Sequence, residues 1–264
     1  MVAKLNNMQL RARLVVEGYM IGYHKSPYHG FSVEFAEHRS YGHGDEVRHI
    51  DWKLYGKTDR YYVKRFEEET NVRSHILLDS SQSMKFGSGS VNKLSYATYL
   101  SAALTYLMLN QKDAVGLVLF DEKIKKFIPP KSTQSHSSII MKTLEKVTPG
   151  YDTQIRPVLD SMAERIRKRG LIILISDLLD DPEKVLMGLK HFRYNKQEII
   201  VFHLMDPEEY NFDFGERIQF TDMESGESIT TDPWHIRKAY KNQIDQFNKT
   251  YQYGCSNWFR YHGV

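Results

Sequence analysis

One cysteine, Cys255, stands among 264 residues, so no internal disulfide can staple the chain, and a reducing compartment suits it. Long apolar runs are missing as well. The best candidate, Tyr99 to Leu109, carries Ser101 and Thr105 and is far shorter than the roughly 20 residues a helix needs to cross a bilayer. The opening MVAKLNNMQLRARL places charges where a secretory signal needs its apolar centre. Charge of one sign is scarce: 36 Lys and Arg face 33 Asp and Glu, a formal net charge of +3. That excess is too small to mark a nucleic-acid surface. The expectation is a cytoplasmic protein without a membrane span, with enough chain to bury a core unaided.

Catalytic signatures are equally thin. Gly87-Ser88-Gly89-Ser90 with Lys93 resembles a phosphate loop but lacks the G-K-[ST] ending. There is no G-x-S-x-G elbow. His24, His29, His38, His43 and His49 follow no zinc-ligand spacing, and no cysteine accompanies them.

What is present is an α/β rhythm. Residues 5–22 have helical spacing, with Leu5, Met8, Leu10, Leu14, Val15 and Met20 inward. Residues 23–70, rich in glycine, histidine and aromatics, read as a small β-rich extension. From residue 71 onward, apolar strands at 73–78, 114–120, 171–175 and 198–204 alternate with helices at 93–110, 135–146 and 155–169. Gly170 is placed to close the last of these helices. Strands 217–220 and 227–231 suggest a hairpin, and 234–253 a closing amphipathic helix. Met8, Met20, Met108, Met141 and Met162 read as core packing, Arg165–Arg169 as a solvated helix end, and Lys123, Lys125 and Lys126 as protection of a strand edge. The fold class is α/β, a doubly wound and mainly parallel sheet. Residues 1–70 form an N-terminal helix and β-rich extension, and 71–264 the main domain.

Asp79, Ser81 and Ser83 occupy alternate positions just after the strand ending Ile76-Leu77-Leu78, and Asp177 follows the run Leu171–Ser176. Ligands of open α/β sheets gather at the carboxyl ends of strands, so the two aspartates face one crevice. With Thr153 they make an all-oxygen set suited to Mg2+ or Mn2+, not zinc. Three neutral hydroxyls leave such an ion underneutralised, ready to take a carboxylate from another protein. Taken singly, each of these residues also fits a helix cap or a turn.

The run Asp79-Ser80-Ser81-Gln82-Ser83 with Thr153 and Asp177 resembles the metal-ion-dependent adhesion site of von Willebrand factor A domains. Upstream, Tyr41-Gly42-His43-Gly44-Asp45-Glu46-Val47-Arg48-His49-Ile50-Asp51-Trp52 resembles the Y-x-x-G-D-x-x-R-x-I-D-W signature of the family called domain of unknown function fifty-eight. Phe66-Glu67-Glu68-Glu69, Lys93 and Asp113-Ala114-Val115-Gly116-Leu117 are similar to that family too. The resemblance covers roughly residues 20–205. It implies a von Willebrand factor A fold, a non-catalytic, metal-dependent protein-binding role, and a MoxR-type AAA+ ATPase or its client as partner, in chaperone-like or assembly work. One departure concerns the second metal loop: the family's Gly-Gly-Thr is Tyr151-Asp152-Thr153 here. The added Asp152 carboxylate either weakens the ion's pull on a partner's acid or points to solvent.

Two questions stay open from sequence. Gly44, Asp45, Arg48, Asp51 and Trp52 form either a binding surface or a buried ion-pair network, with Trp52 packed beneath it; the density of charge favours the network. The rival function is a Mg2+-dependent phosphohydrolase using Asp79 as nucleophile. Against it, Ser81 stands where haloacid-dehalogenase-type phosphatases carry a second aspartate.

Overall fold

The computed structural model describes residues 8, 32–42, 47, 50–69, 72–151, 154–215, 218–221, 228–256 and 259–263. The chain divides into two compact units, residues 23–72 and the combination of 1–22 with 73–264.

In the smaller unit, β1 (Ser32–Ser40) pairs antiparallel with β2 (Tyr62–Glu69), and the register slips between Phe35 and Glu37, as a β-bulge requires. Helix α1 (Trp52–Thr58) lies between them in sequence. The Oδ1 of Asp51 accepts the backbone N–H groups of Lys53 and Leu54 at 3.0 and 3.1 Å, so Asp51 serves as an N-cap. Trp52 departs from expectation: it is 56% exposed. Helix α1 buries none of its side chains, and the indole meets the ring of Tyr55 edge-on instead.

The larger unit is built on β3 (Arg73–Asp79), β4 (Ala114–Phe120), β5 (Ile124–Lys131), β6 (Leu171–Ser176), β7 (Glu198–His203) and β10 (Arg260–Gly263), in the order β10-β7-β6-β3-β4-β5. All neighbours are parallel except β4 and β5, which form an antiparallel edge. The central strands are continuous apolar runs because both faces are covered. Leu77, Val118, Phe120, Ile172, Leu174 and Val201 join one core with α4 (Ile155–Arg165), α5 (Pro182–Tyr194) and α7 (Pro233–Ser256). The alternate residues Ile76, Leu78, Leu117, Ile173 and Ile175 are buried too, and the two-residue strand period sends them to the opposite face. There α2 (Lys93–Asn110) packs on β3 and β4, alongside α3 (Gln134–Leu144). This is the doubly wound arrangement expected. A separate hairpin pairs β8 (Ile218–Thr221) with β9 (Ser228–Thr231). Met8, Met108, Met141 and Met162 are buried; Met20 lies outside the described residues. Among the described residues no helix is long and apolar enough to cross a membrane.

Helix α4 stops at Arg165, short of the expected end at residue 169. Ile166 turns into the core, and the side-chain amide of Gln197 donates to the carbonyls of Ile166 and Lys168 at 3.2 and 2.8 Å. The last turn is thus unwound onto Gln197. Gly170 has a different task from the one expected: a Cβ there would overlap the carbonyl of Arg73, so it lets the chain pass close to β3. The short helix α6 (Pro207–Asn211) and strand β10 carry no strong sequence signal.

Candidate metal centre

Parallel pairing of β3 and β6 sets Leu78 opposite Ile175, so both strands end at one level and bring Asp79 and Asp177 to the same end of the sheet. Asp79 is fully buried. Its Oδ1 accepts the Ser81 N–H at 2.9 Å and its Oδ2 accepts the Ser176 hydroxyl at 2.6 Å. The Oγ atoms of Ser81 and Ser83 lie 3.0 Å apart, so two of the hydroxyls assigned from sequence converge. Burial, then the charge of Asp177, pushes the Asp79 carboxyl up to about 7, against the pull of the Ser176 and Ser81 hydrogen bonds.

Asp177 is also buried. Its Oδ2 accepts Lys93 Nζ at 2.9 Å, and the same ammonium reaches Glu209 Oε1 at 2.7 Å. Burial opposes the charge of Lys93, but Asp177 and Glu209 outweigh it and hold its pKa above the ordinary lysine range. Glu209 is fixed in turn by a capping box on α6, its Oε2 accepting the Asp206 N–H at 3.0 Å. Asp206 accepts both the N–H and the hydroxyl of Ser88, at 2.9 and 2.6 Å. The Gly87–Ser90 stretch is therefore fastened to α6 through Ser88.

The remaining loop is stitched in by the backbone. Ser80 O accepts the Gly150 N–H at 2.6 Å and Tyr151 O accepts the Gln82 N–H at 3.1 Å. The Oδ2 of Asp121 accepts the Tyr151 N–H at 3.2 Å while pairing with Lys125 at 2.9 Å. Lys125 thus pairs within the fold as well as lying on the β5 edge. A Cβ at Gly150 would overlap the Asp121 carboxylate and the Lys125 ammonium, so glycine is required there. Thr153 and Asp152 lie outside the described residues, as do Gly44, Asp45 and Arg48.

Behind the site, Leu178 adopts a left-handed backbone with φ 54°, an unfavourable state for a leucine. Three groups hold the turn. The Leu178 N–H donates to Ser176 Oγ at 2.9 Å, the Tyr251 hydroxyl donates to Leu178 O at 3.0 Å, and His203 Nε2 meets Asp177 O at 2.9 Å. Lys93, Glu209, Ser176, Asp121 and Tyr251 were not assigned to the site from sequence. Ser176 had the clearest signal, standing directly before Asp177 at a strand end.

Among the described residues no three His, Cys, Asp or Glu side chains form a metal-binding group. The fit to an ion rests instead on two carboxylates that repel each other in a buried crevice, next to converged hydroxyls. Such a donor set suits a hard cation and gives nothing to a soft one.

This topology, with paired aspartates at the ends of two central parallel strands, defines a von Willebrand factor A-like domain. Residues 37–250 match the family described as "Protein of unknown function DUF58", and the chain belongs to it. An uncharacterised protein of Mycobacterium tuberculosis (strain ATCC 25618 / H37Rv) is 24% identical over 230 residues, covering 86% of this chain and 72% of that protein. Among solved structures, an aerotolerance-related membrane protein from Bacteroides fragilis aligns with a TM-score of 0.50 at 20% identity, over 73% of this chain and 91% of that one. That likeness speaks for the fold. The von Willebrand factor A domain of SpRpn10 aligns with a TM-score of 0.37 at 14% identity, over 51% of this chain and 76% of that one.

Proposed function

We propose that the chain is a non-catalytic protein-binding module whose crevice holds Mg2+ or Mn2+ through Asp79, Ser81, Ser83, Thr153 and Asp177. When bound, the ion supplies a Lewis-acidic docking point for an aspartate or glutamate of a partner protein. The observation that carries this reading is the Asp79 carboxylate, fully buried beside Asp177: Lys93 pairs with Asp177, and among the described residues no cation pairs with Asp79. Against turnover, the residue two positions after Asp79 is Ser81, not the second aspartate of haloacid-dehalogenase-type phosphatases. A MoxR-type AAA+ ATPase or its client, in the cytoplasm, is the partner class we propose.

The test is capture of a purified MoxR-type ATPase by the chain, with and without EDTA, comparing wild type with Asp79→Ala. Retention that needs both the divalent ion and Asp79 is the expected result. Mg2+-dependent hydrolysis of a phosphate ester that Asp79→Asn abolishes would replace the binding reading with the phosphohydrolase one.

A further inference from the structure

Lys93 is the first residue of α2, and its backbone N–H donates to Phe86 O at 3.0 Å, so the root of its side chain is fixed. The side chain is 4% exposed, which is rare for lysine and tolerable only when its charge is matched. It is matched twice, by Asp177 at 2.9 Å and by Glu209 at 2.7 Å. One of these acids belongs to the proposed metal site. The other does not: it lies on α6 and is oriented independently by the capping box with Asp206.

An ammonium and a divalent ion near one carboxylate are rivals. Both gain from the same charge and repel each other, strongly where water is excluded. We propose that Lys93 is a tethered competitor for Asp177: it holds that carboxylate while the divalent ion is away, and gives it up to bond with Glu209 alone when the ion binds. This rests on the metal-centre reading above. Glu209 makes the exchange possible, because an ammonium with nowhere else to go would have to be stripped bare in a buried site. Metal affinity is then set partly by two residues that never touch the metal.

Isothermal titration calorimetry with MgCl2 and MnCl2 on the full chain at pH 8 tests this. Lys93→Met removes the rival and should tighten binding by about tenfold or more. Glu209→Gln keeps an acceptor for the Asp206 N–H but removes the alternative anion, leaving Lys93 on Asp177, and should weaken binding several-fold. Effects of opposite sign distinguish competition from simple damage, which would weaken both. Unchanged or weaker binding by a folded Lys93→Met overturns the proposal. Should that variant fail to fold, unchanged or tighter binding by Glu209→Gln overturns it equally. Wild type silent while Lys93→Met binds supports it in its strongest form. No binding by any of the three proteins overturns the metal-centre reading itself, a result distinct from equal affinities, which overturn only the role of Lys93.

Discussion

The Ser176 hydroxyl donates a 2.6 Å hydrogen bond to Asp79 across the ends of two adjacent parallel strands. The same oxygen accepts the N–H of Leu178, one residue beyond Asp177. A single side chain therefore fixes one site carboxylate directly and turns the backbone beside the other. Removing it would leave a buried carboxylate and a buried amide each short of a partner, the costly way to lose a hydrogen bond.

Ser176→Ala should lower unfolding free energy by about 1–3 kcal/mol, read as a shift in urea midpoint with unchanged slope. A midpoint equal to wild type would mean that Asp79 does not depend on this bond.

Tyr251→Phe deletes the hydroxyl that holds Leu178 in its left-handed conformation. The expected loss is about 1–2 kcal/mol. Hydrogen exchange should report faster opening at residues 177–179 than across β4. Uniform acceleration over the whole sheet would argue for a general packing role instead.

His75 on β3 is buried, and among the described residues its Nδ1 has no hydrogen-bond partner. Burial, and then the charge of Arg73, lowers its pKa to about 4 from the ordinary 6.5. A histidine depressed in the folded state binds fewer protons there than when unfolded, so its contribution is intact above about pH 6.5 and is lost as pH falls towards 4. Against wild type, His75→Leu should gain about 3 kcal/mol in relative stability between pH 7 and pH 4. Differential scanning calorimetry of the pair at matched pH values checks the slope. The opposing slope from Asp79 is common to both proteins and cancels in the difference.

Divalent ions should stabilise the wild type. At an ion concentration about 100 times the dissociation constant, linkage gives about 2.7 kcal/mol, a few degrees in melting temperature for a domain of this size. EDTA should reverse the shift, and Asp79→Asn should show none. An equal shift in the variant would place the ion elsewhere.

Much of the larger unit was legible because burial on both faces writes a strand as an unbroken apolar run, as in Leu171–Ile175. The bounds of α2 were legible too: the helix read over residues 93–110 is the one observed, with Asn92 capping it by accepting the Ser95 N–H. The placement of Asp79, Ser81, Ser83 and Asp177 at neighbouring strand ends was legible because strand-end position and alternate spacing are local properties. Harder features depend on distant partners. Gln197 cuts α4 short from the start of the neighbouring strand, about 30 residues further along the chain, and the neighbours of Lys93 are 84 and 116 residues away in sequence. A lysine at a helix start ordinarily reads as a solvated charge, and nothing local marks this one as buried. Trp52 failed in the opposite direction: the density of charge around it suggested a buried network with the indole beneath, but its helix buries none of its side chains.

The strand order also sets when the centre can come into being. Asp79 and Ser176 are 97 residues apart in sequence, and the loop between them must close before the two carboxylates meet, so the pairing pays its chain entropy first and is rewarded late. A nascent chain that has emerged only as far as β5 has the Asp79–Ser83 loop but no second aspartate. Acquisition of an ion at this centre would then mark the joining of β6 to β3, ahead of β7 and β10, and a chain stalled before β6 could not hold it.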